Sequence, residues 1–306
     1  MIYTLTANPA IDMNFNTKTA EPYKVNRTSD LIYSPNGKGV NVTLTLKNFN
    51  IDSTVMGFFG GFTGKYIIDE LEKRGVYTNP CIIEENTRIN VFFNKDKEEF
   101  KFVNAGPYVK EDIQKDMLKK LKCLKKEDIL IVSGSLPYSI KEKFYDDIMK
   151  ICAEKGVQVI LDISSKKLID LLSYKPLLIK PNDEEIKDIF GIEIITEGDV
   201  KEVLKMLKEK GAKNILLTMG KKGMYFFDGE KIMFCEAFKV ELVSSACAGD
   251  AALGAFISEW ITSKNIEVAL KKASALGAEV ASSHGLGNFE KYKGYMEDIK
   301  VREVIL

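Results

Sequence analysis

The sequence contains one histidine, His284, and that scarcity closes off several chemistries. A zinc site of several imidazoles, or a serine–histidine–aspartate triad, would have to be built around this single ring, in a small-residue segment late in the chain. A structural position, or one at the edge of a nucleotide, suits it better. Cysteine is sparse too. Cys81, Cys123, Cys152, Cys235 and Cys247 are odd in number, scattered and never spaced C-x-x-C, which fits reduced thiols in a cytoplasmic protein better than a disulfide framework. Neither sign of charge prevails, with 44 Lys+Arg against 44 Asp+Glu, and no basic run offers a nucleic-acid or membrane-surface partner. No apolar segment reaches the roughly 20 residues needed to span a bilayer. The opening MIYTLTANPAID reads as a first strand and not as a signal peptide.

What is present is ample material for a core, 45% hydrophobic over 306 residues, arranged in a regular rhythm. Short β-type runs at 2–6, 54–58, 129–133, 157–162, 177–180 and 215–218 alternate with amphipathic segments at 39–49, 64–74, 110–124, 140–154, 183–190 and 200–210. This alternation predicts an α/β fold: a mostly parallel sheet with helices on both faces, whose ligands bind outside the carboxyl ends of the strands. Two stretches break the rhythm. Residues 88–103 read as a hairpin with a charged turn, and 12–34 hold alternating stretches without a long helical pattern; together they predict a small separate sheet. After residue 236 the chain is expected to turn helical, over 251–261 and 266–282. No linker composition marks a second autonomous unit, so 1–306 reads as one domain.

Glycines punctuate the loops where the chemistry is expected. In P-N-G-K-G-V-N (35–41), Gly37 and Gly39 allow close backbone approach, and Lys38 adds a cation at a helix start, either to bind phosphate or simply to begin a helix. G-F-F-G-G-F-T-G-K (57–65) imitates two nucleotide motifs and matches neither: both need glycine where Phe59 stands, and a Walker loop needs Ser or Thr where Tyr66 stands. A tight strand-to-helix turn remains. T-M-G-K-K-G (218–223) lines phosphates or makes the turn into a hairpin. In K-P-N-D-E-E (180–185), Asn182 and Glu185 form a capping box or organise a hydrated Mg²⁺. In A-C-A-G-D (246–250), an acid follows four small residues. Asp250 is an ordinary acid at a helix start, or a general base beside the Ala248–Gly249–Asp250 amides, with small neighbours leaving space for a hydroxyl and a phosphoryl group.

Taken in order, N-P-A-I-D (8–12), G-K-G-V-N (37–41), T-R-I-N-V (87–91), S-G-S-L-P (133–137), K-P-N-D-E-E, T-M-G-K-K-G and A-G-D resemble the ribokinase-like (PfkB) carbohydrate kinases over nearly the whole chain. The branch they resemble is that of 1-phosphofructokinase and tagatose-6-phosphate kinase. The resemblance implies a three-layer α/β/α domain with a β-sheet lid from about 12–34 and 88–103, commonly paired with a partner's lid in a homodimer. It implies ATP and Mg²⁺, with fructose 1-phosphate as the leading substrate and tagatose 6-phosphate as the alternative.

Residue roles follow from the same resemblance. Asp250 would be the base, with Ala248, Gly249 and the neighbouring Cys247 at the anion hole. Asp12 would hold sugar hydroxyls; Gly37, Lys38 and Asn41 would bind the sugar and its phosphate, and Arg88 would clamp that phosphate. Lys180, Asn182, Thr218, Gly220 and Gly223 would lie along ATP, with the adenine near Ser274. Asn182 and Glu185 would organise Mg²⁺ through water. The chain departs from the branch at Asn36 and Cys247, where glycine is usual, and at Ser244, where Asn or Asp is usual. Asn36 reads as mild, because Asn tolerates positive φ. An unphosphorylated substrate is disfavoured, since Lys38 and Arg88 would be two cations without an anion. A silent sugar-phosphate-binding protein is the competing class, argued against by Asp250 and Glu185 together. The failed dinucleotide fingerprint disfavours a nicotinamide oxidoreductase.

Overall fold

Successive residues of a strand point to opposite faces, so strands buried on both sides read as nearly continuous apolar runs. In the computed structural model this alternation divides the core in two. Leu130, Val132, Val159, Leu161, Ile215 and Leu217 pack toward one helical layer, while Ile131, Ile160 and Leu216 pack toward the other. The structure describes every residue except Lys97, His284 and Leu306, so the expectations for His284 lie outside the described residues.

The chain begins with β1 (Ile2–Thr6), β2 (Ala10–Thr17), β3 (Thr28–Asn36), α1 (Lys38–Asn48), β4 (Ser53–Gly60) and α2 (Gly61–Lys73). There follow β5 (Tyr77–Thr78), β6 (Cys81–Ile83), β7 (Arg88–Lys95), β8 (Glu98–Phe102), α3 (Glu111–Leu121), β9 (Ile129–Ser133) and α4 (Lys143–Lys155). Next come β10 (Gln158–Asp162), α5 (Leu168–Leu171), β11 (Leu178–Ile179), α6 (Asp183–Phe190), α7 (Glu197–Glu209) and β12 (Ile215–Thr218). The last part holds β13 (Met224–Phe227), β14 (Ile232–Cys235), α8 (Ala248–Trp260), α9 (Ile266–Ala281), α10 (Tyr292–Asp298) and β15 (Val301–Val304).

The large sheet runs β15-β14-β13-β12-β11-β10-β9-β1-β4-β5, with β6 also on β4; pairing is parallel from β12 to β5 and antiparallel from β12 to β15. Residues of α3 to α7 cover one face; those of α1, α2, α8, α9 and α10 cover the other. The α/β/α architecture expected from the alternation is therefore present. One expectation fails. The chain after residue 236 is not only helical, because Val301–Val304 returns as an edge strand on β14. V-R-E-V carries two charged residues side by side and lacks the apolar run of the other strands, so the tertiary pairing reveals it.

The second sheet has the order β3-β2-β7-β8. Its register puts Met13 opposite Val91 and Phe15 opposite Phe93, with Phe100 and Phe102 following on β8. These aromatics stack, with ring centroids 5.3 Å apart for Phe15–Phe93 and 4.7 Å for Phe93–Phe100. The alternate positions, Asp12, Asn14, Asn90, Glu99 and Lys101, form a polar face. The small sheet thus turns one polar and one apolar side away from each other.

Candidate active site

Three polar residues end three adjacent parallel strands in register: Thr6 on β1, Ser133 on β9 and Asp162 on β10. Lys180 follows β11 immediately, its amide bonded to the carbonyl of Leu161, which sets its side chain beside Asp162. Asp162 is fully buried, and its Oδ1 lies 3.1 Å from both Lys180 Nζ and Lys38 Nζ. Burial alone would raise its pKa; the ammonium groups of Lys180 and Lys38 outweigh it and hold the carboxyl below its ordinary range. Asp162 was not singled out from the sequence. Its signal was an acid closing an otherwise apolar strand, V-Q-V-I-L-D, where a buried carboxylate needs a partner.

Lys38 opens α1 and donates to Asp162 Oδ1 at 3.1 Å, Ser164 Oγ at 3.3 Å and Glu185 Oε1 at 3.3 Å. An ammonium has three donors, so all are taken. Burial lowers its proton affinity, but Asp162, Glu185 and Asp250 raise it well above the usual lysine range. The argument that an unphosphorylated substrate would leave Lys38 and Arg88 without an anion therefore rests on Arg88 alone, because Lys38 is satisfied by the protein's own carboxylates. Its neighbours Gly37 and Gly39 press against Thr6. A Cβ on either would meet that side chain at 2.6 and 2.4 Å, and Gly37 sits at φ +127°.

Glu185 makes the capping box that its motif allowed and keeps one oxygen for other partners. Its Oε2 accepts the Asn182 amide at 3.0 Å while Asn182 Oδ1 accepts the Glu185 amide at 2.6 Å, a complete capping box on α6. The other oxygen, Oε1, faces Lys38 and Ser164. Asn182 is therefore committed to the cap, and Asp162 is the acid that joins Glu185 at the strand ends. Asp162 Oδ2 is buried without a hydrogen-bond partner among the described residues, as are Thr6 Oγ1, Ser133 Oγ and Asn41 Oδ1. Two carboxylates and an uncommitted oxygen suit Mg²⁺, which keeps much of its water shell and is rarely caged by protein alone. No group of three or more His, Cys, Asp or Glu placed to hold a metal ion occurs among the described residues.

Asp250 lies in the first turn of α8, whose N-terminus has no side-chain cap. The amides of Ala248, Gly249 and Asp250 are thus free of intrahelical partners, the arrangement that suits an anion. Lys180 lies beneath them; a Cβ on Gly249 would come 3.7 Å from its Nζ. Asp250 Oδ2 accepts from Asn41 Nδ2 at 2.8 Å. This contact depends on the close approach of α1 and α8, since a Cβ on Gly254 would meet Thr45 Cβ at 2.7 Å. Burial, reinforced by the charge of Asp162, pushes the Asp250 carboxyl up to about 7. Cys247, at the cap position, adopts φ +64°, which explains why glycine suits that position.

On the small sheet, Asp12 is buried and accepts from Asn90 Nδ2 at 2.8 Å and from Asn36 Nδ2; burial raises it to about 6 against these bonds and the charge of Arg88. Asn36 is not the mild substitution expected. It lies in extended strand, outside the positive-φ residues, and its side chain bonds four groups. Arg88 donates Nη1 to the Asn104 carbonyl at 2.7 Å, Nη2 to that of Asn8 at 3.0 Å and Nε to that of Pro9 at 3.4 Å. Two of its five N–H groups remain. The G-F-F-G-G-F-T-G-K turn holds the strand that carries Arg88: Thr63 Oγ1 donates to the Thr87 carbonyl at 2.7 Å and the Gly60 amide donates to Thr87 Oγ1 at 3.0 Å. Ser244 Oγ donates to Glu99 Oε1 at 2.8 Å and Lys101 Nζ to Ser245 Oγ at 3.1 Å, joining β8 to the loop before α8.

The remaining residues divide. Thr218 ends β12 and bridges to Asn182, so it stays beside the strand-end cluster. Gly220 is in open space, whereas Gly223, at φ +102°, makes the turn into β13; its Cβ would meet the Cys235 carbonyl at 2.3 Å. Ser274 is spent elsewhere. Buried on α9, it donates to the Glu236 carbonyl at 2.7 Å, which ties α9 to the segment after β14.

A model described as the pfkB family carbohydrate kinase matches residues 6–291. The chain is 46% identical to D-tagatose-1-phosphate kinase of Klebsiella oxytoca over 301 residues, covering 98% of this chain and 99% of the relative. It is 32% identical to 1-phosphofructokinase of Bacillus subtilis over 98% of this chain and 99% of that one. Its fold is similar to that of phosphofructokinase-2 from Escherichia coli in complex with fructose-6-phosphate, with a TM-score of 0.85 and 25% identity over 92% of this chain and 93% of that structure. With the acid, amide and lysine arrangement at its strand ends, the chain belongs to the pfkB family of carbohydrate kinases.

Proposed function

We propose that this sugar-phosphate kinase transfers the γ-phosphoryl group of ATP to the free primary hydroxyl of a ketohexose 1-phosphate, D-tagatose 1-phosphate before D-fructose 1-phosphate. The observation that carries the chemistry is Asp250: a buried carboxylate with raised proton affinity, held by Asn41 at an uncapped helix N-terminus. The choice of sugar is supported by 46% identity to a D-tagatose-1-phosphate kinase against 32% to a 1-phosphofructokinase. Fructose 1-phosphate, expected first from the sequence, becomes second and tagatose 6-phosphate third.

Asp12 holds the sugar through its hydroxyls, and the two free N–H groups of Arg88 take the phosphate already present. Asp250 accepts the proton of the primary hydroxyl as that oxygen bonds to the γ-phosphorus and the bond to the ADP oxygen breaks. The Ala248, Gly249 and Asp250 amides, with Lys180 beneath, balance charge on the moving phosphoryl group. Asp162 and Glu185 would hold Mg²⁺ largely through water; when bound, it neutralises charge on the nucleotide phosphates. Asn182 and Thr218, at the ends of adjacent elements, border the nucleotide side.

The small sheet serves as a lid over this site. Its stacked aromatic side, with Phe102 more than half exposed, supports a homodimer in which two lids meet. Five free thiols support a reducing, cytoplasmic setting. Among the described residues no helix is long and apolar enough to cross a membrane.

Steady-state rates on purified D-tagatose 1-phosphate, D-fructose 1-phosphate and D-tagatose 6-phosphate test the substrate. We expect kcat/KM on the 6-phosphate to be lower by about tenfold or more, because the Arg88 clamp would meet the wrong end of the sugar. A preference for the 6-phosphate overturns the assignment.

A further inference from the structure

Asn36 stands where β3 of the small sheet passes into α1 of the large one, and every hydrogen-bonding site of its amide is used. Nδ2 donates to Asp12 Oδ2 and, at 3.2 Å, to Cys247 Sγ. Oδ1 accepts from the Gly37 amide and, at 3.2 Å, from Asn41 Nδ2. A primary amide has two donors and two acceptor lone pairs, so nothing is left to bind sugar directly. Its partners are the informative part. Asp12 is the hydroxyl-binding carboxylate of the small sheet, Asn41 holds the base Asp250 at 2.8 Å, and Cys247 caps the helix that starts with the anion-binding amides. One unbroken chain therefore runs Asn90–Asp12–Asn36–Asn41–Asp250 across the site.

We propose that Asn36, braced by Cys247, is the positioning residue that lets this kinase tell C4-epimeric ketohexose phosphates apart. The proposal rests on the sugar-phosphate reading above. Tagatose and fructose differ only in the direction of one hydroxyl, so discrimination requires an acceptor whose direction is fixed. Asn90 holds Oδ1 of Asp12 and Asn36 holds Oδ2, so both oxygens of that carboxylate are tethered and its plane is fixed. Cys247 supplies the second constraint. Its backbone adopts φ +64°, disfavoured for a residue with a side chain, and its sulfur reaches the Asn36 amide and lines, with Asn36, Asn41, Asn14 and Ser34, one cavity of about 190 Å³. A left-handed cysteine held against a saturated amide makes a rigid wall between the two sheets. Without the pair, Asp12 would rotate to accept either epimer.

The test compares wild type, Asn36→Gly, Cys247→Gly and the double variant on both 1-phosphates, with MgATP varied separately. The expected result is a fall of about tenfold in the wild-type ratio of kcat/KM between epimers for Asn36→Gly. KM for MgATP stays within about twofold, and the double variant is no worse than the worse single one, because the two side chains act as one unit. A merely structural role would lower both sugars alike and leave the ratio where it was. An unchanged ratio in both single variants, each with wild-type circular dichroism, overturns the proposal. Cys247→Gly relieves the left-handed backbone, so it keeps the test open should Asn36→Gly fold poorly. Should wild type prefer 6-phosphates, the substrate reading alone fails, and the same comparison runs on tagatose 6-phosphate against fructose 6-phosphate.

Discussion

Asp250 is a buried carboxylate whose surroundings oppose its charge, and the proposed chemistry depends on it. With its value raised to about 7, the deprotonated fraction of this carboxyl grows as pH rises through neutrality. The expected kcat/KM profile therefore rises with pH through about 7 and levels off above it, the limb being that of the free enzyme. A flat profile between pH 6 and 8 would remove Asp250 from the base role. Asp250→Asn should lower kcat by about 10²–10⁴-fold while titration calorimetry shows sugar-phosphate affinity nearly unchanged, since an asparagine oxygen can still accept from Asn41. The same substitution has a stability consequence of opposite sign. A raised folded-state pKa favours folding at pH values below that of the unfolded carboxyl, and this contribution is lost as pH rises through about 7. Melting of Asp250→Asn should thus exceed wild type at pH 8 by a few degrees, with the gain shrinking at pH 5.

At the scale of elements, closeness of helices decides where these side chains meet. The small residues around Asp250 were read as space for reactants. Ala251, Ala252, Gly254 and Ala255 also let α8 pack against α1 and α9, and it is that packing that brings Asn41 to the base. A second helical junction depends on Glu279, buried on α9, which accepts the amides of Glu290, Lys291 and Tyr292 at 2.8, 3.0 and 2.7 Å. These are the unpaired donors at the start of α10, and a carboxylate is the acceptor that suits them. Glu279→Gln should cost about 1–3 kcal/mol in urea unfolding and speed amide exchange at 290–292. Unaltered exchange there would show that the contact adds nothing to stability.

For the whole molecule, the two sheets differ in what they leave uncovered. The large sheet is covered on both sides, whereas the small one leaves Phe15, Phe93, Phe100 and Phe102 stacked on one side. Phe93, at the centre of that stack, is the position where a charge does most harm to a lid-to-lid contact. Phe93→Glu should give a monomer by light scattering at concentrations where wild type is dimeric; a wild-type monomer, or a variant dimer, removes the lid as the interface.

Much of this was legible in the residues alone. Strands such as Ile129–Ser133 and the helix Asp183–Phe190 carry their own periods and caps, because apolar alternation and a capping box act within a few residues of chain. Local chemistry likewise marked Lys38, Glu185 and Asp250 as candidates, and the family resemblance added Asp12, Asn41 and Arg88. What the chain order cannot express is which side chains 100 or 200 residues apart share a hydrogen bond. Lys38 looked free until Asp162, 124 positions later, was placed beside it, and Asn36 looked incidental until Cys247, 211 positions later, met its amide. Period, cap and turn are short-range and belong to the sequence; the partners of each buried charge are set by the parallel register of β1, β9 and β10 and the close packing of α1 on α8, which exist only once the chain has folded.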